Sequence, residues 1–354
     1  MSDLSSTPIT PLKPAPEQAS ESTFASTKST PLHSVNRQHI KAHFSQAAPS
    51  YEEAAVLQKT VAERVDERLD LTAIRVKTVL DVGAGTGLLT EKILARYPTA
   101  DCFAVDLSES MLQQAHARLQ RPRFPALGSV INRLLNQCSF SRSLTTKTAA
   151  TRINADVNQL PFADKSVDLI VSNLMLQWCD DLDAVFTEFR RVLRPEGLLM
   201  FTTFGPDTLK ELRQAWQAAD SEFQHVNHFI DMHDIGDALI RAGFAQPVMD
   251  VELFTLTYDQ PMGVLKDLKA IGATNASQHR NPGLMGKTKF QAMLAAYEGL
   301  RKQGKIPASY EVVHGHAWAG QEVIKGPNRN KSGHVEISLE QFAQQTKHPF
   351  KQPK

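Results

Sequence analysis

A glycine loop that turns a predicted strand into a helix is the feature that most constrains how this chain folds. The apolar run Thr78–Leu80 leads into residues 81–87, which read Asp-Val-Gly-Ala-Gly-Thr-Gly. Closely spaced glycines after a buried strand let the backbone adopt positive φ angles and come close to a ligand. The dinucleotide fingerprint needs a glycine at the sixth position of the loop, which counted from Gly83 is Leu88. The pattern therefore indicates a nucleoside-binding α/β sheet and disfavours a pyrophosphate ligand.

An acidic residue follows the next predicted strand. The apolar run Cys102–Val105 ends at Asp106, at about the interval where a carboxylate meets ribose hydroxyls in nucleotide-binding sheets. Leu107 and Met111 then offer an apolar face for an adenine ring. The alternative is that Asp106 only caps the following helix, but Ser108 is better suited to that position. We therefore expect Asp106 to bind ribose.

A third predicted strand, Val167–Asn173, is almost continuously apolar, as expected of a strand buried on both faces of a parallel sheet. Ligands of such sheets bind beyond the carboxyl ends of the strands. Four residues are therefore expected near the reacting group: Asn173, Leu174, Gln177 and Trp178.

The order of these motifs resembles that of class I S-adenosylmethionine-dependent methyltransferases. The resemblance implies their Rossmann-like α/β fold, with a mostly parallel seven-stranded sheet and an antiparallel last strand, and S-adenosylmethionine as the cofactor. It implies that four loop residues border the methionine and ribose parts of the cofactor: Asp81, Gly83, Gly85 and Gly87. Asp156 and the adjacent amide of Val157 match the family's contact to the adenine edge, although taken alone Asp156 is an ordinary turn aspartate.

Composition limits the other classes of function. The chain has 354 residues, 42% of them hydrophobic, and its formal net charge of +1 gives no reason to expect binding to nucleic acid or membranes. No run of about 18 apolar residues predicts a transmembrane helix. The three cysteines, Cys102, Cys138 and Cys179, have spacings that suit neither a disulfide framework nor a metal site. We expect a monomeric cytoplasmic enzyme without a metal.

The sequence predicts one catalytic domain with several variable segments. Residues 1–35, roughly half Ser, Thr and Pro, are too poor in large apolar groups to order themselves and lack the apolar core of a secretory signal, so a disordered tail is expected. Residues 36–320 form the predicted methyltransferase domain, and 321–354 a polar C-terminal extension. The basic insertion 121–150 could be a solvated loop or could steer an acidic partner. Residues 261–305 are expected to form a helical insertion over the active site.

An N-terminal helical lid is predicted before the first strand. Apolar residues recur there at four-residue steps, as in an amphipathic helix: Leu57, Val61, Val65 and Leu69. Tyr51 and Gln58 are candidates for closing this lid over the cofactor. The alternative for Tyr51 is that its ring only anchors a helix to the core.

The second half of the chain has weaker signals. Arg194–Gly197 is predicted to stop a helix just before the strand Leu198–Phe204. Further patterns predict helices near 207–219 and 231–242 and strands near 248–254 and 310–318.

Four short strings narrow the resemblance to one family. Ser172–Cys179, Phe201–Phe204, Gln214–Ala218 and Leu268–Ala273 are similar to segments of the malonyl-acyl-carrier-protein O-methyltransferases of biotin synthesis. The similarity extends over residues 36–320. It implies transfer of a methyl group to the free carboxylate of a malonyl thioester, carried by acyl carrier protein or coenzyme A, to give a methyl ester.

That reaction needs no general base, because a malonyl carboxyl group with a pKa of about 4 is ionised near neutral pH. The residues must instead align the reacting atoms and exclude water. We expect Tyr51, Gln177 and Trp178 near the methyl acceptor, because neutral donors orient a carboxylate without suppressing its reactivity. Lys269 or Arg280 would hold the second carboxylate oxygen or the thioester; the alternative is that each is a surface cation with a packed stem.

Other functions remain open on the sequence alone. One is a different methylation on the same core, such as carbon methylation of a quinone precursor or methylation of an aconitate-like carboxylate. Another is a relative that binds S-adenosylmethionine without transferring its methyl group, such as an assembly factor or a hydroxylase. The predicted lid and the Gln177-Trp178 pair favour a true transferase. His228 could line the pocket, although a satisfied histidine at a helix entry is the simpler interpretation.

Overall fold

A seven-stranded sheet forms the centre of the fold. The computed structural model describes residues 35–120, 149–277, 280, 283 and 286–320. The strands are β1 (Thr78–Val82), β2 (Asp101–Asp106), β3 (Thr151–Asn154), β4 (Val167–Ser172), β5 (Leu193–Phe204), β6 (Phe244–Tyr258) and β7 (Ile306–Ala319). They lie in the order β3-β2-β1-β4-β5-β7-β6. Strand β7 runs antiparallel to both of its neighbours and the other pairs are parallel, so the predicted class I methyltransferase topology is confirmed.

Ten α-helices accompany the sheet in this described part of the chain. They are α1 (Arg37–Ala47), α2 (Tyr51–Ala54), α3 (Val56–Leu69), α4 (Leu88–Arg96), α5 (Glu109–Leu119), α6 (Leu182–Val192), α7 (Lys210–Ala219), α8 (Met232–Arg241), α9 (Pro261–Ala270) and α10 (Lys287–Glu298). Short polar side chains cap several of them: Asn36 accepts from the His39 amide at the start of α1, and Ser108 accepts from the Met111 amide at the start of α5. These caps fix where the helices next to the strand ends begin.

Helices cover both faces of the sheet. Leu80 and Val82 of β1 belong to an apolar cluster with α6 and α8, whereas Val79 belongs to a cluster with α3 and α4. Successive strand residues point to opposite faces, so the two clusters lie on opposite sides of the sheet. The apolar stripe of α3 is buried as predicted, at Leu57, Val61, Val65 and Leu69. With both faces covered, a ligand reaches the sheet from the ends of its strands.

Strand β5 begins earlier than the sequence predicts. Helix α6 ends at Val192, yet the Arg194–Gly197 segment lies within β5 and not before it. Val167 of β4 pairs with Leu193, and two residues later Leu169 pairs with Leu198, so β5 carries extra residues at this point in the ladder. The Pro and Gly residues of this segment predict a break between the helix and the strand. The register with β4 shows instead that β5 pairs with β4 both before and after the segment.

The weaker predictions in the second half of the chain identify the right elements with wrong lengths. The helices predicted near 207–219 and 231–242 are α7 and α8. Strands β6 and β7 are longer than expected because they pair with each other along their whole length, from Phe244 opposite Ala319 to Tyr258 opposite Ile306. Cross-strand pairing of this kind is set by the partner strand, which a local sequence pattern does not contain.

The segment 261–305 contains α9 and α10. Helix α10 packs against α7 through Met293 and Tyr297, and the Tyr297 hydroxyl donates to the Pro307 carbonyl at 2.9 Å. Within this described part, no helix is both long enough and apolar enough to cross a membrane.

Three predictions fall on residues outside the described ranges: the tail up to residue 34, the basic insertion from 121 to 148, and the extension from 321. Val35, the last residue of the predicted tail, is buried and pairs with Ser277, so it belongs with the folded domain.

Candidate functional site

Two adjoining cavities lie at the carboxyl ends of the parallel strands. The first has a volume of about 120 Å³ and is lined by the glycine loop and the ends of β1, β2 and β4. The second has a volume of about 350 Å³ and is lined by residues of α3, α7 and α9 and by the ends of β5 to β7. Four side chains line both cavities: Phe44, Tyr51, Leu174 and Trp178. We call these four the gate residues, because ligands in the two cavities would meet between them.

The glycine loop forms part of the wall of the first cavity. Gly83 and Gly85 line it, with φ angles of +75° and +55° that favour glycine. The Gly83 and Ala84 amides both donate to the Val105 carbonyl, at 2.8 and 3.0 Å. The loop is thereby fastened to the end of β2, and its backbone faces the cavity.

Asp81 and Gly87, both expected to contact the cofactor, are not among the residues that line this cavity. Gly87 precedes α4 with a φ of +80°, and a Cβ atom there would lie 3.1 Å from Ala115 of α5. Asp81 is buried, and its Oδ2 accepts a 2.5 Å hydrogen bond from the Thr90 hydroxyl. Burial raises the pKa of Asp81 to about 7, although the bond from Thr90 opposes this shift. Both residues shape the loop from behind the cavity wall.

Asp106 lies at the cavity edge, held by the backbone. Its Oδ2 accepts from the Gly85 amide at 2.9 Å, and its Oδ1 accepts from the Ser108 amide at 2.8 Å. Burial raises the pKa of Asp106, although these amide donors lower it. Ser108, not Asp106, caps α5 by accepting from the Met111 amide, so the capping alternative is excluded. Each carboxylate oxygen keeps a further lone pair for a ligand hydroxyl.

The remaining predicted nucleoside contacts line the same cavity: Leu107, Met111, Asp156 and Val157. The side chain of Asn154 joins β2 to β3 by donating to the carbonyls of Asp106 and Leu107, at 2.9 Å each. Above them, Arg37 of the N-terminal helix α1 pairs with Asp156 at 3.1 Å. Helix α1 therefore lies over the first cavity, ahead of the segment in which the lid candidates Tyr51 and Gln58 were predicted.

Asn173 directly follows β4, and both polar atoms of its side chain already form hydrogen bonds within the protein. Its Nδ2 donates to the Gln58 carbonyl at 3.1 Å, and its Oδ1 accepts from the Thr202 hydroxyl at 2.9 Å. Leu174, with a φ of +52°, follows as a gate residue. Gln58 lines the second cavity and not the first. It therefore does not lie where the sequence placed it, beside the cofactor.

The residues expected near the methyl acceptor all line the second cavity: Tyr51, Gln177, Trp178, Lys269 and Arg280. The Trp178 ring meets Phe44 of α1 edge-on, with ring centroids 5.2 Å apart. Burial, reinforced by the nearby Asp106 charge, raises the pKa of Tyr51 above its usual range. The Tyr51 hydroxyl is therefore a hydrogen-bond donor at neutral pH.

Gln177 has less freedom than the sequence suggests. It is buried, its Nε2 donates to the Leu174 carbonyl at 2.6 Å, and its Oε1 accepts from the Thr203 hydroxyl at 3.3 Å. One amide hydrogen is left for a ligand. The main structural effect of Gln177 is to hold the gate residue Leu174 in place.

Sequence reasoning missed the side of the second cavity formed by Trp216, His225 and Asn227. His228, which the sequence left as a possible pocket residue beside the preferred interpretation of a satisfied histidine at a helix entry, is exposed and does not line the cavity. The Asn227 side chain accepts from the Ala276 amide at 3.1 Å, which joins two segments far apart in the chain. No local sequence pattern predicts such a contact.

The arrangement suits the alignment of two ligands. Asp106 offers an acceptor to the first cavity, and Tyr51 offers a donor where the cavities meet. Among the residues that the structure describes, no group of three or more His, Cys, Asp or Glu side chains is placed to hold a metal ion.

Comparison with known proteins identifies the family. Residues 80–201 match the family described as a methyltransferase domain. The malonyl-[acyl-carrier protein] O-methyltransferase of Nitrosospira multiformis is 47% identical over 289 residues, which cover 81% of this chain and 90% of that protein. The protein of the same name from Laribacter hongkongensis is 50% identical over 284 residues, covering 80% and 90% of the two chains. The chain therefore belongs to the malonyl-[acyl-carrier protein] O-methyltransferase family.

Proposed function

We propose that this enzyme transfers the methyl group of S-adenosylmethionine to the free carboxylate of a malonyl thioester, releasing S-adenosylhomocysteine and a methyl ester. The observation that carries the proposal is the meeting of the two cavities at the four gate residues. Relatives with 43–50% identity over about 80% of the chain bear the name malonyl-[acyl-carrier protein] O-methyltransferase. Their family also supports a place early in biotin synthesis.

The lining of the first cavity offers groups that suit S-adenosylmethionine. Asp106 has free lone pairs for ribose hydroxyls, and Leu107 and Met111 supply apolar surface for adenine. When bound, the cofactor supplies an electrophilic methyl group on a sulfonium. Asp156 and the Val157 amide would hold the adenine edge.

The acceptor needs alignment more than activation. A malonyl carboxyl group is ionised near neutral pH, so no residue has to remove its proton. Phe44 and Trp178 exclude water from the gate, and Tyr51 donates a hydrogen bond that orients the carboxylate. A neutral donor leaves the carboxylate oxygen nucleophilic.

The cationic residues of the second cavity serve the other end of the acceptor. Lys269 and Arg280 line this cavity, and neither is among the residues that line the first. They would attract the thioester side of the acceptor, whether its carrier is an acyl carrier protein or coenzyme A. Gln177 would contribute its remaining amide hydrogen.

The acceptor is tested by supplying S-adenosylmethionine labelled in its methyl group with one acceptor at a time: malonyl-loaded carrier protein, malonyl-coenzyme A or trans-aconitate. We expect an alkali-labile label on a malonyl thioester, because methyl esters hydrolyse in base. Label on trans-aconitate alone would assign a different carboxylate methylation. Tight binding of the cofactor with no labelled acceptor would assign a protein that binds S-adenosylmethionine without transferring its methyl group.

A further inference from the structure

A third cavity, a groove of about 450 Å³, lies between the end of α1 and the end of α9. Two residues, Lys269 and Thr274, line both this groove and the second cavity, so the two adjoin. We call it the basic groove and define it by six of its lining residues: His43, Gln46, Ser50, Lys266, Lys269 and Thr274.

Contacts between its two sides fix the shape of the basic groove. The Ser50 hydroxyl donates to the Ala270 carbonyl at 3.0 Å, and His43 forms a hydrogen bond with Thr274. Between these contacts, Gly272 comes so close to α1 that a Cβ atom there would lie 3.1 Å from the Cβ of Ala47. The groove is therefore formed before a ligand arrives.

Two lysines give the basic groove positive charge. Lys266 and Lys269 are three residues apart on α9, so they lie on the same side of the helix, and both are exposed. Neither forms an ion pair with another residue that the structure describes. Asp267, which follows Lys266, lines the second cavity and not the groove. None of the described residues that line the groove is acidic.

The surroundings of His43 indicate the same positive field. Burial lowers the pKa of His43, and the nearby charges of His39 and Arg280 lower it further. Cationic neighbours that disfavour a charged imidazole would in the same way attract an anion. The basic groove therefore suits a negatively charged group that can accept hydrogen bonds from ammonium groups.

The acceptor of the proposed reaction carries such a group. The malonyl thioesters of acyl carrier protein and of coenzyme A share a pantetheine arm that ends in a phosphate. Between the thioester and this phosphate the arm has only uncharged amide and hydroxyl groups. An arm that leaves the second cavity past Lys269 and Thr274 enters the basic groove, where the phosphate is the first charge to arrive.

We propose that the basic groove binds the phosphate of the pantetheine arm, with the ammonium groups of Lys266 and Lys269 paired to its oxygens. Lysine suits this role because its ammonium group is a mobile point charge that follows a phosphate at the end of a flexible arm. The assignment rests on the proposed malonyl methylation and adds the site that holds the far end of the same acceptor. It applies to both carriers, because both have this phosphate.

The test is steady-state kinetics of K266E with three acceptors: malonyl-loaded carrier protein, malonyl-coenzyme A, and malonyl-pantetheine, which has the arm without the phosphate. We expect K266E to raise KM about fivefold or more for the first two, the size of an exposed ion pair. The KM for malonyl-pantetheine should stay within about twofold of the wild-type value. K266A, which removes the charge without reversing it, should give a smaller rise with the same pattern.

The matched control is K77E, the same charge change at an exposed lysine before β1, at the opposite end of the sheet from the cavities. K77E should keep the wild-type KM for all three acceptors. An unchanged KM in K266E, an equal rise in K77E, or an equal rise with malonyl-pantetheine would overturn the phosphate site. A rise confined to one of the two carriers would place the contact on that carrier and would also overturn it.

These outcomes leave the malonyl reaction intact. Wild-type enzyme that methylates no malonyl thioester would overturn both proposals.

Discussion

Asp106 shows how one side chain joins the loop to the ligand site. Its two oxygens accept from backbone amides on either side, at Gly85 and Ser108, so the carboxylate cannot rotate away from the cavity. Burial alone would favour the neutral acid, and the amide donors favour the charge. Asp106 therefore fastens the glycine loop, and we propose that it also accepts hydrogen bonds from the ribose hydroxyls.

Replacing Asp106 with alanine should weaken binding of S-adenosylmethionine by about 1.5 to 3 kcal/mol, the usual contribution of hydrogen bonds to a charged group. Calorimetric titration of the purified variant measures this. D101N, at the exposed opposite end of β2, is the control and should bind the cofactor as the wild type does. Unchanged affinity in D106A would mean that the ribose assignment is wrong.

The buried carboxyl group of Asp81 predicts a dependence of stability on pH. Its pKa of about 7 in the fold exceeds the ordinary value of 3.8, so the folded protein holds this proton more tightly than the unfolded chain. The resulting stabilisation is complete below about pH 4, is lost as the pH rises to 7 and changes no further above that. A difference of about three pKa units corresponds to about 4 kcal/mol.

D81N keeps an acceptor for the Thr90 hydroxyl and cannot ionise. Urea unfolding of the cofactor-free proteins at several pH values should therefore show the wild type losing up to about 4 kcal/mol relative to D81N between pH 4 and 7. All other carboxyl groups are common to both proteins, so the difference isolates Asp81. Parallel curves would contradict the raised pKa.

At the scale of elements, α1 is tied to the site along its length. Arg37 at its start pairs with Asp156. Further along the helix, the Ser45 hydroxyl forms a 2.8 Å hydrogen bond with the Ser108 hydroxyl, and His43 forms a hydrogen bond with Thr274. Each of these contacts is small in energy, yet all must break before the first cavity opens widely. We therefore expect opening of α1 to control exchange of the cofactor.

Removing one such contact should speed release of the cofactor without unfolding the protein. The Arg37–Asp156 pair is partly exposed on both sides, and exposed ion pairs contribute up to about 1 kcal/mol. R37A should therefore release S-adenosylhomocysteine up to about fivefold faster in stopped-flow displacement, with an unchanged melting temperature. The control is R75A, an exposed arginine outside both cavities. Equal release rates in R37A and wild type would remove α1 from this role.

Across the whole molecule, the sequence predicts most residues that line the first cavity but only part of those that line the second. Residues of the first cavity lie at the ends of strands or directly after them. Asp106 ends β2, and Gly83 and Asn173 follow β1 and β4, so an apolar run with a polar end is enough to find them. The parallel topology then brings these strand ends together. For this reason the fold and most of the predicted cofactor site follow from local patterns.

The second cavity is built from contacts between distant segments. His225 stacks on α7, and Asn227 bonds the backbone at Ala276, contacts that no local periodicity encodes. Gln58 was expected on the cofactor side because the sequence predicted the helix that carries it, now α3, but not the direction in which its side chain points. Its side chain lines the second cavity because α3 packs on the sheet through Val65 and Leu69, which fixes the helix rotation.

We propose that the cofactor and the malonyl group meet between the gate residues. A crystal structure with S-adenosylhomocysteine and a malonyl thioester tests this most directly. We predict the homocysteine sulfur and the malonyl carboxylate on opposite sides of the gap between Tyr51 and Trp178, with room for one methyl group between them. A malonyl group bound elsewhere, or with its carboxylate turned away from the sulfur, would exclude transfer between the gate residues.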